Sequence, residues 1–376
     1  MRINLPYFIT VLVALLCIII GHNFAVRGSL VFQNDPQEST RATVERILER
    51  HEPQEFDEFT LFRGEIIIFE ARITRGEQRG SIVTVSQALG DFSWTAAREV
   101  APGDRVLLFF NEFIDEWFFD GHLRTNRLLA LGILFVFCIL IFGGKKGFNT
   151  ILSLALTCGA VFGVFIPAIL AGRNIYVMSL LVCVYVITMT LLLVVGFNKK
   201  ALAAAIGCGS GLAVTGIITV VMDRVLFLTG IIDEHSRFLM NLPAGFTVDL
   251  RAIVFAGIMI GAMGAIMDVA LSISSSLWEI KQKARSIKFD TLFRSGVTIG
   301  RDIMGSMANT LILAYIGTSL SVVLLLTVYS DSFFGLLNRE MIVVEILKSL
   351  AGIMGILFAM PLTAFYSALL YLKKDS

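Results

Sequence analysis

Hydrophobic positions fall along this chain in long uninterrupted blocks, with polar residues crowded into the gaps between them. The blocks run from about Pro6 to Phe24, Asn126 to Phe142, Phe148 to Ala171, Ile175 to Phe197, Ala201 to Met222, Ala252 to Ser272, Ile303 to Tyr329 and Ile342 to Tyr371. Crossing a bilayer takes ~18–20 apolar residues in a helix, so each block predicts a transmembrane helix, eight in all. The last two are longer than a bilayer requires, which predicts tilt, kinking or extension beyond it. Pro167 and Pro361 fall inside blocks. Neighbours must then satisfy the carbonyl that each proline leaves without its donor. The first block, preceded by Arg2, has the form of a signal peptide or an uncleaved anchor. Asn23-Phe24-Ala25 is a poor cleavage site, and the reading is an anchor over residues 1–30.

Residues 35–120 follow a different rhythm. Glu65 to Thr74, Gly80 to Ser86 and Asp104 to Phe110 are rich in β-branched and aromatic residues. Arg75-Gly76, Leu89-Gly90-Asp91 and Pro102-Gly103-Asp104 mark turns between them. Thr40 to Arg50 fits either state: Val44, Ile47 and Leu48 have helical spacing, and the same residues make a strand. About five short strands over this length predict a small β-barrel or sandwich, with an OB-like barrel among the options. No ordered aromatic series lies on a basic strand, so nucleic acid is not an expected partner. The remaining stretch, 123–373, is a seven-helix membrane domain. The fold class is thus a polytopic α-helical membrane protein with a β-rich domain between its first two helices.

Composition agrees: 56% of the 376 residues are hydrophobic and only 16% charged, at a mean hydropathy of +0.79. The placement of charge says more than the net +1. Arg2, Lys145 and Lys146, Lys199 and Lys200, the run Lys281, Lys283, Arg285, Lys288 and Arg294, and Lys373 and Lys374 fall at every second membrane border. Lysine and arginine mark the cytoplasmic side. Eight spans with both termini in the cytoplasm, and the β-domain outside the cell, satisfy every border. The location is then a membrane. All five cysteines sit in apolar blocks, and none lies in the β-domain, which excludes a disulfide framework there. No paired His or Cys spacing suggests a metal.

Two blocks, with the residues flanking their facing ends, carry polar residues that lipid does not welcome. Asp268, Ser272, Ser275 and Glu279 are spaced 4, 3 and 4 apart, which places them on one helix face. Asp302, Ser306 and Asn309 share a face of the next helix, with Arg301 turned ~100° away and Thr310 adjoining. Matched in depth, the two faces make a polar seam opening toward the cytoplasm, with Asp268 its deepest carboxylate. Carboxylates, hydroxyls and an amide carbonyl suit a hard cation or a proton relay. The structural alternative is pairing of Asp268 or Glu279 with Arg301. Gly257, Gly261, Gly264, Gly296, Gly300 and Gly305 lie nearby, at spacings that let membrane helices touch. The basic segment from Lys281 to Arg294 reads as positive border charge or as an amphipathic strip on the inner leaflet.

The strings GAMGAIMDVALSISSSLWEI, from Gly261, and RSGVTIGRDIMGSMANTLILAYIG, from Arg294 to Gly317, resemble the YibE/F-like family of bacterial multi-pass membrane proteins. GGKKGFNTILSLALT, from Gly143 to Thr157, is a weaker match. The likeness extends from about Leu123 to Lys373, and the anchor and β-domain fit the family layout. The resemblance implies this architecture and a place in the plasma membrane of a bacterium, and nothing about chemistry. Enzyme signatures are absent: there is no Walker loop, no HExxH and no Gly-x-Ser-x-Gly, and Gly207-Cys-Gly-Ser-Gly211 lies inside an apolar block. The expected function is a permease-like transporter of a small solute or ion, without a cofactor and coupled to an ion gradient. The alternative is a membrane scaffold or signalling component whose β-domain binds a protein partner.

Overall fold

The structure, a computed structural model, describes residues 5–26, 39–51, 64–76, 78–90, 98–111, 114–240, 248–284, 286–329 and 332–373. Arg2, Asp35, Asp91, Arg285 and Lys374, and 241–247 of the connector before the sixth block, lie outside them. The chain forms two compact units, one of Phe32–Ile139 and one of Met1–Val31 with Leu140–Ser376.

The first unit holds strands β1 (Thr40–His51), β2 (Gly64–Ile73), β3 (Ile82–Gly90), β4 (Arg105–Asn111) and β5 (Glu116–His122). They close into a barrel in the order β1-β2-β3-β5-β4, with β4 returning to β1. Among these described pairs, only β3–β5 is parallel. The barrel-or-sandwich alternative thus resolves to a barrel, which leaves no strand edge unpaired. Val44, Ile67, Phe69, Val85, Val106 and Leu108 fill it. Phe69 meets Phe119 edge to face, their ring centroids 6.4 Å apart. Buried Gln87 satisfies its own amide by donating to the Arg98 carbonyl (3.0 Å) and accepting from the Val100 N–H (3.0 Å). The ambiguous stretch from Thr40 is a strand. Its helix-like spacing has a cause: register shifts between Val44 and Arg46 and between Ile47 and Glu49 break the period of two.

Helices are α1 (Leu5–Val26), α2 (Thr125–Ala160), α3 (Ile166–Leu170), α4 (Ile175–Val194), α5 (Lys199–Val225), α6 (Glu234–Met240), α7 (Leu250–Lys283), α8 (Phe289–Tyr329), α9 (Phe333–Leu337) and α10 (Glu340–Leu372). Among the described residues, seven helical runs are long and apolar enough to cross a membrane. One of them, Thr125–Leu170, spans 46 residues and covers two of the predicted blocks. It breaks at Gly144 (φ 53°, ψ −127°), beside the predicted border at Lys145 and Lys146. A residue without Cβ takes that conformation at little cost. A π-helical turn, Val161–Phe165, joins α2 to α3. Pro167 has no N–H to offer the Gly163 carbonyl four residues back, and His22 of α1 donates to that carbonyl from Nδ1 at 2.6 Å.

The helical core is built on α7, which packs against α4, α5, α8 and α10. Its buried face carries Ile258, Met259, Ile266, Ile273 and Leu277. In a bilayer, apolar burial does not drive helices together, and close packing of small residues does much of the work. The α5–α10 pair shows this: a Cβ on Gly211 would lie 2.6 Å from the Gly355 carbonyl oxygen and 2.7 Å from Ala359 Cβ. The Thr215 hydroxyl bridges the same pair, approaching the Gly211 carbonyl at 3.1 Å and the Ala351 carbonyl at 3.3 Å. At the other end of these helices the Ser274 hydroxyl donates to the Lys200 carbonyl (2.8 Å). The Tyr371 hydroxyl donates to the Ser274 carbonyl (3.0 Å), tying α5, α7 and α10.

Two connectors are more ordered than their polarity suggests. Much of Lys281 to Arg294 is helical, and its apolar residues turn inward: Leu292 is fully buried, and Phe289 and Phe293 pack edge-on to Phe365 of α10. After α5, Glu340 at the start of α10 accepts from the Thr229 and Gly230 N–H groups, both at 2.7 Å. Asp233 caps the turn before α6, accepting from the Ser236 N–H (2.7 Å) and hydroxyl (2.6 Å). Burial acts to raise the Asp233 carboxyl, but these two hydrogen bonds prevail and hold it below the ordinary carboxylate range.

Candidate functional site

The α7 residues fall on one face, as their spacing predicts, and that face is turned away from the packed core. Asp268, Ser272 and Glu279 are exposed and Ser275 is half-buried, while Ile266, Ile273 and Leu277 on the opposite side are fully buried. Gly257, Gly261 and Gly264 continue the same exposed line. On α8, Arg301, Asp302, Gly305, Ser306, Asn309 and Thr310 are all exposed.

Packing explains this orientation. A Cβ on Gly296 would meet Ala364 and Leu277 (2.7 and 2.8 Å), and one on Gly300 would press on Met360 and Ile273. These two glycines seat α8 against both α7 and α10. The remaining face of α8, the polar one, is left uncovered. Gly257, Gly264 and Gly305 have nothing within 4 Å of a Cβ position, so they make no close helix contact among the described residues. Gly261 meets only the Tyr315 side chain, whose hydroxyl oxygen would lie 2.8 Å from a Cβ there. That hydroxyl is buried and has no hydrogen-bond partner among the described residues.

The pairing of Gly296 with Leu277 and Gly300 with Ile273 fixes an antiparallel register. It brings Arg301 about level with Ser272, and Gly305 about level with Asp268. Asn309 stands a turn, ~5–6 Å, beyond the Asp268 level. Among the described residues, no hydrogen bond or ion pair joins the α7 set to the α8 set. The pairing of Asp268 or Glu279 with Arg301 is therefore not formed. Ser306 and Thr310 turn their hydroxyls back to their own helix, at Ile303 O (2.9 Å) and Ser306 O (2.8 Å). The chain thus presents two adjacent polar stripes whose donors and acceptors are mostly uncommitted.

The YibE/F-like protein family matches residues 131–373, about two thirds of the sequence. The chain belongs to that family. No curated protein and no solved structure matches it. The family range of this YibE/F-like chain begins inside α2 and contains both polar stripes, the α5–α10 contact and the Ser274–Tyr371 tie, while the barrel and α1 lie before it.

A second polar feature of the YibE/F-like chain escaped the sequence. A cavity of about 340 Å³ lies between the end of α5 and the start of α7, lined by Tyr176, Thr219, Asp223, Arg224, Arg251 and Phe255 among others. Asp223 and Arg251 face each other at 3.9 Å, and Tyr176 and Phe255 form an aromatic wall with centroids 5.0 Å apart. Its charges read as ordinary border residues, far apart in the sequence. Only the packing of α5 beside α7 brings them together.

Proposed function

We propose that this protein is a multi-pass bacterial plasma-membrane permease in which the polar stripes of α7 and α8 line the path of a small solute or ion. The observation that carries the reading is Asp268. It is a carboxylate in a long apolar helix, outside that helix's packed face, with no ion-pair partner among the described residues. A charge facing acyl chains at the middle of a helix costs ~2.5–3.5 kcal/mol on insertion scales, so such a face meets water or a polar surface. Asp268, Ser272, Ser275 and Glu279 form a ladder of oxygen ligands one helical turn apart, suited to a hard cation or to proton relay. No nucleotide-binding loop occurs in the sequence, so an ion gradient supplies the drive.

In this reading the kinked Thr125–Leu170 run crosses twice, giving eight spans. Both termini are cytoplasmic, and the barrel, OB-like in its strand order, is outside. The cavity at Asp223 and Arg251 then lies at the outer end of α7, an antechamber on the side opposite Glu279. The test is flux in proteoliposomes across a panel of ions and small acids, with wild type beside Asp268→Asn. The expected result is loss of flux with unchanged folding. Flux retained by Asp268→Asn removes Asp268 from the path.

One observation favours a scaffold role for the barrel as well. Leu48 of β1 and Ile66 of β2 are both exposed on neighbouring strands, Ile66 opposite His51, and are apolar positions that a protein partner would cover. A barrel that retains no partner on cross-linking in cells, while flux persists, sets that reading aside.

A further inference from the structure

We infer that two copies of this chain pair through the exposed face of α8, and that the second copy covers the polar stripe of that helix. The face is made by Thr298, Arg301, Asp302, Gly305 and Asn309, all exposed. On a helix these residues surround a line through Gly305. Arg301 lies ~40° to one side of that line and Asp302 ~60° to the other, at ~100° per residue. Opposite charges thus flank a midline that carries no side chain at Gly305, where a Cβ would meet nothing within 4 Å.

Copies in a membrane share one orientation, so a symmetric pair is related by a two-fold axis along the membrane normal. That operation leaves depth unchanged and exchanges left for right. Arg301 of one copy then stands beside Asp302 of the other, and the reverse pair forms at the same level. The face is complementary to itself. Neither Arg301 nor Asp302 forms an ion pair among the described residues, so no internal contact has to break. Gly305 permits the close backbone approach that small residues provide between membrane helices. Asn309, two-fold related across the same midline, can bond to its own copy through its amide.

Within the pair, the register that sets Gly305 level with Asp268 brings the α7 stripe to the edge of the interface. Arg301, Asp302 and Asn309 are then taken up by the interface, so the candidate path narrows to the α7 stripe, bounded on one side by the partner. This extends the permease reading, and its test reads association, so the two can fail separately.

The experiment uses the full chain in native membranes, with Cys17, Cys138 and Cys158 replaced by Ala and buried Cys183 and Cys208 retained. Gly305→Cys and Asn309→Cys are oxidised with copper phenanthroline. Leu181→Cys, exposed on α4, is the control. The expected result is a disulfide-linked species of twice the chain mass for the two α8 variants and none for the control. In the Gly305→Cys background, Arg301→Asp alone and Asp302→Arg alone lower cross-linking at least tenfold. The double exchange, Arg301→Asp with Asp302→Arg, restores it. Two outcomes overturn the proposal: both α8 cysteines remaining monomeric, which leaves lipid headgroups or another protein as the cover, or the single charge variants cross-linking as well as their parent.

Discussion

Gly211→Ala tests whether the α5–α10 contact is closed as tightly as the structure shows. The added Cβ would lie 2.6 Å from the Gly355 carbonyl oxygen, 2.7 Å from Ala359 Cβ and 2.9 Å from Ile266 Cγ2. Ordinary contact begins near 3.4 Å, so the helices must part by about 0.8 Å. The nearest obstacle is backbone, which cannot swing aside as a side-chain tip would. Overpacking of this kind costs ~1–3 kcal/mol. The same displacement stretches the hydrogen bond from Thr215 to the Ala351 carbonyl, already 3.3 Å, which adds a loss of ~0.5–1.5 kcal/mol. Against this, alanine is better than glycine inside a helix by ~0.5–1 kcal/mol. The net expectation is a loss of about 0.5–4 kcal/mol, and at ~2.1 cal/mol/K of unfolding entropy per residue Tm falls by ~1–2 °C per kcal/mol in a chain of 376 residues. Gly209→Ala is the internal control, because a Cβ there meets nothing within 4 Å and only the helix-propensity gain applies. Both proteins are purified in the same detergent and melted by intrinsic fluorescence and light scattering. If Gly211→Ala melts at or above the parent, the close approach of α5 and α10 is refuted.

Other perturbations read other parts of the fold. Tyr371→Phe removes the hydroxyl that bonds Ser274 and lowers stability by ~1–2 kcal/mol, measured by the same melts. Gln87→Leu leaves the Val100 N–H and the Arg98 carbonyl without their partner inside the barrel. The cost is ~1–3 kcal/mol, seen as faster amide exchange at Val100. On the barrel surface, the hydrogen bond from Arg46 holds the Glu70 carboxyl below the ordinary glutamate range, against a smaller opposing effect of desolvation. A lowered pKa means that the pair's contribution is complete above the unfolded glutamate value and is lost as pH falls through the folded one. Arg46→Gln therefore moves the Glu70 carbon titration upward in NMR, and an unmoved titration contradicts the pairing.

The sequence was most readable where one dimension suffices. Lipid-length apolar blocks predicted most of the helices near to their observed limits, although α7 runs on from Ser272 to Lys283 and α8 begins at Phe289 rather than Ile303, and the predicted border at Lys145 and Lys146 lies beside the break in the longest run. The face shared by Asp268, Ser272, Ser275 and Glu279 followed from spacing alone, because a helix repeats every 3.6 residues wherever it packs. The β1 strand was harder, since its bulges shift the alternation by one residue and imitate a helix.

Where those faces point was not legible. Spacing groups residues on a side without saying what lies opposite. Gly296 and Gly300 dock α8 against α7 and α10, and that docking turns Arg301, Asp302 and Asn309 outward. Glycine spacing was similarly silent, marking Gly257, Gly264 and Gly305, where a Cβ would meet nothing among the described residues, no less than Gly296 and Gly300. The sequence by itself determined the helices, the separate β-domain and the polar composition of two faces, because hydropathy and helical period are local properties. The tertiary structure alone decided that the α5–α10 pair is a tightly closed glycine contact, that Asp223 and Arg251 share a cavity, and that the polar stripes lie on the outside of the bundle. Each of those depends on which distant helix fills the space beside a residue, and no local pattern records that.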